Sequence, residues 1–215
     1  MEQATEELVT KVEAYVSQYM SQFDASHDYR HVQRVLGLAK SIHAQEQKTN
    51  PDKEYRSDII TLGSLLHDVG DKKYLKPGQN GETMVQELLM EFGADERLAT
   101  DVQKIVSHVS YSHEIKNPEK VISCLAQYPE LAIVQDADRL DAIGAVGVGR
   151  CFAYTAAVGK NSLDVAIIHF EEKLLKLASM MKTASGKQMA VSRTQRLLEF
   201  KDWWIDENRT IVNHQ

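Results

Sequence analysis

The sequence predicts an all-α protein, and two observations support this fold class. Apolar residues recur at helical spacing along almost the whole chain, and no run of alternating β-branched residues bounded by turns indicates a strand. The 215 residues, 43% of them apolar and 26% charged, have the composition of an ordinary globular protein. We expect one compact domain over residues 1–215, which needs neither a disulfide nor a structural metal for its stability.

The periodicity predicts eight or nine helices, separated by residues that commonly end or begin a helix. The expected helices span about residues 4–20, 28–46, 54–69, 81–92, 95–109, 118–126, 130–158, 163–181 and 187–208. Pro51 precedes the third helix and Gly70 follows it, while Pro118 and Gly186 begin later ones. A polar turn with the sequence KPGQNG occupies residues 76–81. None of these breaks is long enough to be a linker between domains.

Charge and composition exclude several function classes. The net charge is −6 and no basic run is present, which argues against a nucleic-acid partner. No apolar stretch is long enough for a membrane span, and the acidic start does not resemble a signal peptide. Cys124 and Cys151 show no metal-binding or redox spacing, which is typical of a reducing compartment. We therefore expect a cytoplasmic protein, in which any anionic small molecule is bound through a metal or local cations.

Histidine and aspartate occur at positions expected to face the core. His31 shares a helix face with Val35 and Ile42, and His67-Asp68 ends the apolar stripe of the third helix beside the small residue Gly63.

In the predicted helix 130–158, Asp138 and Asp141 share a face with Val134, continued by Ala145 and Phe152. Buried carboxylates without partners cost several kcal/mol, so a compensating cation is expected beside them.

Two histidines and two aspartates from three helices form a mixed nitrogen and oxygen ligand set. Such a set fits zinc, manganese, iron, cobalt or nickel, and it leaves coordination positions open for water or substrate, as hydrolysis requires. Taken singly, each residue is more often ordinary; the chain even contains a second His-Asp pair, His27-Asp28. Only the combination of His31, His67-Asp68 and Asp138 indicates a metal site.

Three blocks of sequence resemble the HD-domain superfamily of metal-dependent phosphohydrolases: SHDYRHVQRV at 26–35, LLHDVGDKK at 65–73 and QDADRLDAIG at 135–144. The resemblance continues through residues 150–154 and 169–177, and it is to a branch of small stand-alone proteins, some of which are nucleoside triphosphate pyrophosphohydrolases. It implies an all-α HD helical bundle and one divalent metal, with Mn²⁺ favoured and Co²⁺, Ni²⁺, Zn²⁺, Fe²⁺ and Mg²⁺ also compatible. The implied ligands are His31, His67, Asp68 and Asp138, and His27 matches no ligand.

The resemblance also suggests residues for catalysis and substrate binding. Several HD nucleotidases carry a glutamate three residues after the His-Asp pair, and Asp71 occupies that position here, either as a general base or as the end of a helix. Lys72, Lys73 and Arg139 would surround a triphosphate with positive charge, although the two lysines are equally compatible with a solvated loop. His108 is expected near the substrate phosphate.

The resulting hypothesis is a hydrolase that cleaves dNTPs or NTPs to a monophosphate and pyrophosphate through a metal-activated water. A 5'-nucleotidase or a cyclic-nucleotide phosphodiesterase is the first alternative. A binuclear iron HD oxygenase, with His108 or His113 as extra ligands, and a catalytically idle nucleotide sensor are the others. The expected partner is a small-molecule nucleotide, with neither nucleic acid nor membrane. Trp203 and Trp204 are expected to pack the C-terminal helix, with a homodimer contact as the alternative.

Overall fold

The computed structural model describes residues 2–71, 75, 77–159 and 162–212, and within these ranges the chain is helical with no strand. The predicted all-α class is confirmed. Eleven α-helices and one 3-10 helix are found among the described residues, somewhat more than the eight or nine expected. They are α1 (Glu2–Met20), α2 (Tyr29–Thr49), α3 (Ser57–Leu66), α4 (Met84–Glu91), α5 (Glu96–Val109), α6 (Tyr111–Lys116), α7 (Pro118–Gln127), α8 (Glu130–Asp141), α9 (Gly144–Ala157), α10 (Asp164–Glu172), the 3-10 helix Leu174–Met180, and α11 (Ala184–Val212).

The long helix predicted at 130–158 is wrong, because the chain breaks between α8 and α9. Gly144 has a φ of +75°, in the left-handed region, and a Cβ there would lie 3.2 Å from the side chain of Arg193. Ala145 and Phe152 therefore lie on α9 and do not continue the helix face of Asp138. The predicted helix 163–181 is likewise divided, into α10 and the 3-10 helix.

Helices α2, α3 and α8 form the centre of the fold, because each buries side chains on two sides. One apolar cluster joins them to α1, α4, α5 and α7, and a second joins them to α9, α10, α11 and the 3-10 helix. Gly63 of α3 allows close packing: a Cβ there would lie 3.3 Å from Ile105 and 3.5 Å from Val134. The three central helices are thus held from both sides, which fixes the side chains at their ends.

Two buried carboxylates hold the start of α11. Asp136 of α8 accepts hydrogen bonds from the backbone N–H groups of Lys182 and Thr183, and Glu46 of α2 accepts from the backbone and hydroxyl of Ser185. These carboxylates satisfy donors at a helix N-terminus and also complement its partial positive charge. Within the described chain, no helix combines the length and apolar character that a membrane crossing requires.

Candidate metal centre

Four side chains from the central helices meet at one point. His31 projects from α2, His67 and Asp68 lie in the turn after α3, and Asp138 projects from α8. The Nε2 atoms of His31 and His67 lie 3.0 Å apart, and Asp68 Oδ2 lies 3.3 Å and 3.4 Å from them. Asp138 Oδ1 lies 3.6 Å from His31 Nε2 and 3.8 Å from His67 Nε2. Atoms that share one ion at bond lengths of about 2.1 Å have separations of about 3 to 3.5 Å. Ligand atoms of His31, His67 and Asp138 lie within 4.8 Å of one another, so these three approach a coordination shell, and Asp68 Oδ2 adjoins both imidazoles.

The electrostatics of the cluster also favour a cation. Asp68 Oδ2 is buried and makes no hydrogen bond within the described chain, although two imidazole nitrogens lie within 3.4 Å. Burial lowers the pKa of His67, but the carboxylates of Asp68 and Asp138 outweigh burial and raise that pKa to about 9. Burial raises the pKa of Asp68, and the imidazoles of His67 and His31 more than offset this and hold it well below its usual range. A divalent ion would supply the positive charge that this arrangement attracts, so the residues fit a metal.

The chain orients both imidazoles from behind. His67 Nδ1 donates to the backbone carbonyl of Ser64 over 2.8 Å, which leaves its Nε2 for the cluster. The turn that carries His67 ends at Gly70, with a φ of +80°, where a Cβ would lie 3.3 Å from the Cα of Gly81. His31 Nδ1 lies 2.8 Å from Asp141 Oδ2. Both rings are therefore held with Nε2 towards the same point.

Asp141 is the second carboxylate for which a compensating cation was expected, and the chain itself supplies it. Arg34 donates to both carboxylate oxygens, over 2.8 Å and 3.1 Å, and Arg150 Nη1 lies 3.3 Å from Oδ2. Burial raises the pKa of Asp141, but His31 and Arg34 outweigh it and hold that pKa far below its usual range. Asp141 therefore lies on the opposite edge of the His31 ring from the candidate ligands and is paired within the chain.

The cluster lies at a cavity of about 90 Å³. The side chains that line it beyond the four candidate ligands include His27, Asp71, Tyr111, Arg139, Arg150 and Lys173. Arg150 also donates from Nε to the carbonyl of Ser26 over 2.7 Å, and Lys173 Nζ lies 5.1 Å from the centre of the Tyr111 ring. The cavity thus combines a candidate metal site with positively charged side chains.

The structure brings some of the predicted catalytic and substrate residues to this cavity and not others. Asp71 lines it, and so does Arg139, whose buried guanidinium donates to Glu114 and to the carbonyl of Met180. His108 is missing from the described lining; its Nδ1 donates to the carbonyl of Lys104, and its ring packs against His113. Lys72 and Lys73 lie outside the described residues. The roles assigned to these residues stay predictions.

Sequence reasoning placed Asp141 on an inward helix face but missed its contact with His31. It also missed the cavity positions of Arg150 and Lys173. The spacing of Asp138 and Asp141 on one helix face was the available signal for Asp141. Arg150 and Lys173 follow the break at Gly144, so periodicity along α8 could not place them. The available signal was the resemblance through residues 150–154 and 169–177, which contain both side chains.

A helical fold that gathers two histidines and two aspartates from three helices defines a metal-binding class of protein. Residues 28–143 match the HD domain family. The chain is also 31% identical over 195 residues, 88% of each chain, to the uncharacterized protein YpgQ of Bacillus subtilis. The protein belongs to the HD domain family, and the resemblance seen in the sequence is confirmed.

Solved structures agree with this assignment. YpgQ of Bacillus subtilis, crystallised in complex with ADP, is 26% identical with a TM-score of 0.72, over 95% of this chain and 96% of that one. An HD-superfamily hydrolase from Bacillus thuringiensis is 29% identical with a TM-score of 0.68, over 98% of this chain and 100% of that one. A protein from Lactobacillus plantarum is 28% identical with a TM-score of 0.76, over 93% of this chain and 96% of that one. The protein is a metal-dependent HD-superfamily hydrolase.

Proposed function

We propose that this hydrolase acts on nucleotides, and that it cleaves dNTPs or NTPs to a monophosphate and pyrophosphate with one divalent metal, for which Mn²⁺ is favoured. The observation that carries the proposal is the convergence of His31, His67, Asp68 and Asp138 at a cavity that positive side chains also line. The similarity to YpgQ, solved in complex with ADP, supports a nucleotide as the ligand.

The four candidate ligands would hold the ion through two imidazole nitrogens and two carboxylate oxygens. A divalent ion bound there lowers the pKa of water and neutralises charge on phosphate oxygens. The charges of Asp68 and Asp138 balance those of such an ion, while Arg34 and Arg150 offset the nearby Asp141.

Other side chains of the cavity would act on the water and on the phosphate. Asp71 is the candidate to accept a proton from the attacking water. Arg150 and Lys173 would attract phosphate oxygens to a chain whose net charge is −6. Arg139 would contribute through the guanidinium N–H groups that its bonds to Glu114 and Met180 do not use. Lys72 and Lys73 would add to this positive charge.

The size of the cavity is consistent with phosphate chemistry. Sites that enclose a whole small ligand commonly measure about 300 to 1,000 Å³, whereas this cavity measures about 90 Å³. A cavity of this size would take a phosphate group, with the sugar and base outside it.

The test is a turnover screen with Mn²⁺, Co²⁺, Ni²⁺ and Mg²⁺ against nucleoside mono-, di- and triphosphates, their deoxy forms and cyclic nucleotides, with the products separated by chromatography. Monophosphate plus pyrophosphate from triphosphates is the expected result. The double variant His67→Ala, Asp68→Ala is the control, and we expect it to fold and to show no turnover.

Other outcomes of the screen would contradict the proposal. Free phosphate from monophosphates would indicate a 5'-nucleotidase, and a ring-opened monophosphate would indicate a cyclic-nucleotide phosphodiesterase. If every nucleotide is inert with every metal, the nucleotide hypothesis falls. Two irons per chain would then indicate a binuclear oxygenase.

A further inference from the structure

Asp141 makes a set of contacts that the proposed metal centre does not explain by ligation. Its side chain is 1% exposed, and its two oxygens face three donors: His31 Nδ1 at 2.8 Å, the Arg34 guanidinium at 2.8 Å and 3.1 Å, and Arg150 Nη1 at 3.3 Å. All three donors come from other helices, His31 and Arg34 from α2 and Arg150 from α9. A buried carboxylate with this many partners is fixed in place.

The contact with His31 determines which edge of the imidazole is free. A carboxylate can only accept, so the proton of the neutral imidazole lies on Nδ1, and the lone pair lies on Nε2. It is Nε2 that lies 3.0 Å from His67 Nε2 and 3.3 Å from Asp68 Oδ2. Asp141 is thus on the opposite edge of the ring from the metal cluster.

The two arginines set both the charge and the position of Asp141. Arg34 pairs with both of its oxygens in a fork, a geometry that restricts the plane of the carboxylate. Arg150 contacts Asp141 and also donates to the carbonyl of Ser26, in the segment that leads into α2. The carboxylate therefore lies where α2, α8 and α9 are joined, and its charge is offset without the metal.

We propose that Asp141 is a positioning residue of the metal centre, which holds His31 with Nε2 towards the ion and is itself held by Arg34 and Arg150. The proposal rests on the proposed metal site but not on the proposed substrate. Carboxylates behind a metal-bound histidine commonly account for about 10- to 100-fold in metal affinity. We expect a loss of that size when the carboxylate is removed.

The experiment measures the affinity of the purified protein for Mn²⁺ by isothermal titration calorimetry, with no nucleotide present. Asp141→Ala is expected to weaken Mn²⁺ binding by about 10- to 100-fold, and Asp141→Asn by less, because the amide oxygen still accepts from Nδ1. Asp136→Asn is the matched control, since Asp136 is also a buried aspartate of α8 but contacts the start of α11. We expect this control to bind Mn²⁺ as the wild type does.

Wild-type affinity in a folded Asp141→Ala protein would overturn the proposal, and so would an equal loss of affinity in Asp136→Asn. Should Asp141→Ala fail to fold, the wild-type protein provides the test through the ¹⁵N resonances of His31 after Zn²⁺ loading. A proton on Nδ1 is expected, and a metal bond through Nδ1 would overturn the proposal. Inert nucleotides would leave these results standing, whereas a wild type that binds no divalent ion would overturn both proposals.

Discussion

Two faces of α8 carry aspartates, the buried Asp136 and the partly exposed Asp138, and the two faces differ in how these carboxylates are satisfied. Towards α11, Asp136 accepts from the N–H groups of Lys182 and Thr183 at 2.8 Å each, and from the Thr183 hydroxyl at 2.7 Å. Towards α2, Asp138 faces the imidazoles of His31 and His67 across 3.6 Å and 3.8 Å. The first carboxylate is saturated by its own chain and the second points at other potential ligands. A buried acid whose hydrogen bonds are complete is structural, whereas acids and imidazoles that converge on one point indicate a metal site.

The largest effect, a loss of metal binding and turnover, is expected from the face of α8 that points towards α2 (the α2 face). Asp138→Ala removes one of the four candidate ligands, so we expect Mn²⁺ binding and turnover to fall below detection while the circular dichroism spectrum stays helical. Calorimetric titration and the chromatographic turnover assay check this. Wild-type turnover in this variant would show that Asp138 is not a ligand of a catalytic metal.

A change on the face of α8 that points towards α11 (the α11 face) is expected to lower the stability of the protein. A Cβ on Gly186 would lie 2.3 Å from Asp136 Oδ2 and 2.8 Å from the Thr183 hydroxyl, so Gly186→Ala must displace that hydrogen-bonded pair. We expect a loss of about 2 to 4 kcal/mol in the free energy of unfolding in urea.

Gly149→Ala is the control for this change, because a Cβ at this helical position of α9 meets nothing within 4 Å. It is expected to stabilise the protein by about 0.5 to 1 kcal/mol. Equal effects of the two substitutions would contradict the close packing of Asp136 against α11.

Metal binding should stabilise the protein through the α2 face alone. At a Mn²⁺ concentration about 100 times Kd, linkage gives about 2.7 kcal/mol, which corresponds to a rise in Tm of about 5 to 10 °C for a chain of this size. A chelator should reverse the shift, and Asp138→Ala should not show it. A rise in Tm of the same size in Asp138→Ala would indicate that the ion binds at another site.

The smallest effect concerns Glu114, which pairs with Lys182 at 2.7 Å and with Arg139. Burial raises its pKa, but Lys182 and Arg139 more than offset this, so the folded-state pKa lies below its usual value of 4.5. The resulting stability is present above pH 4.5 and is lost as the pH falls through the lowered pKa.

Glu114→Gln is therefore expected to unfold with about 1 to 2 kcal/mol less free energy near neutral pH and to show a shallower loss in acid. Urea unfolding, measured near neutral pH and again at acidic pH below the pKa of Glu114, tests this. Parallel pH profiles for the variant and the wild type would refute the assigned pairing.

Sequence reasoning predicted the parts of this structure that depend on local pattern. The helical class and the inward position of His31 follow from periodicity along single helices, and both agree with the structure. Periodicity also carried the predicted helix through residues 142–144, where the chain instead turns at Gly144. One permissive glycine breaks a helix without disturbing the apolar pattern on either side of it.

Long-range pairing could not be predicted in the same way. Asp136, Asp138 and Asp141 have the same side chain on the same helix, and their surroundings differ because α11, the imidazole of His31 and the guanidinium of Arg34 meet them from different directions. A pattern of residue types does not encode those directions. The pairing of Arg139 with Glu114 is also a contact between distant parts of the chain, and it was not foreseen.

The most direct test is a crystal structure of the protein with Mn²⁺, in which anomalous scattering locates the ion. We predict one peak per chain, bonded to His31 Nε2, His67 Nε2 and the carboxylates of Asp68 and Asp138 at about 2.0 to 2.3 Å, with Asp141 behind His31 and unbonded to the ion. A peak bonded to Asp141, or an ion held away from these four residues, would contradict the proposed centre.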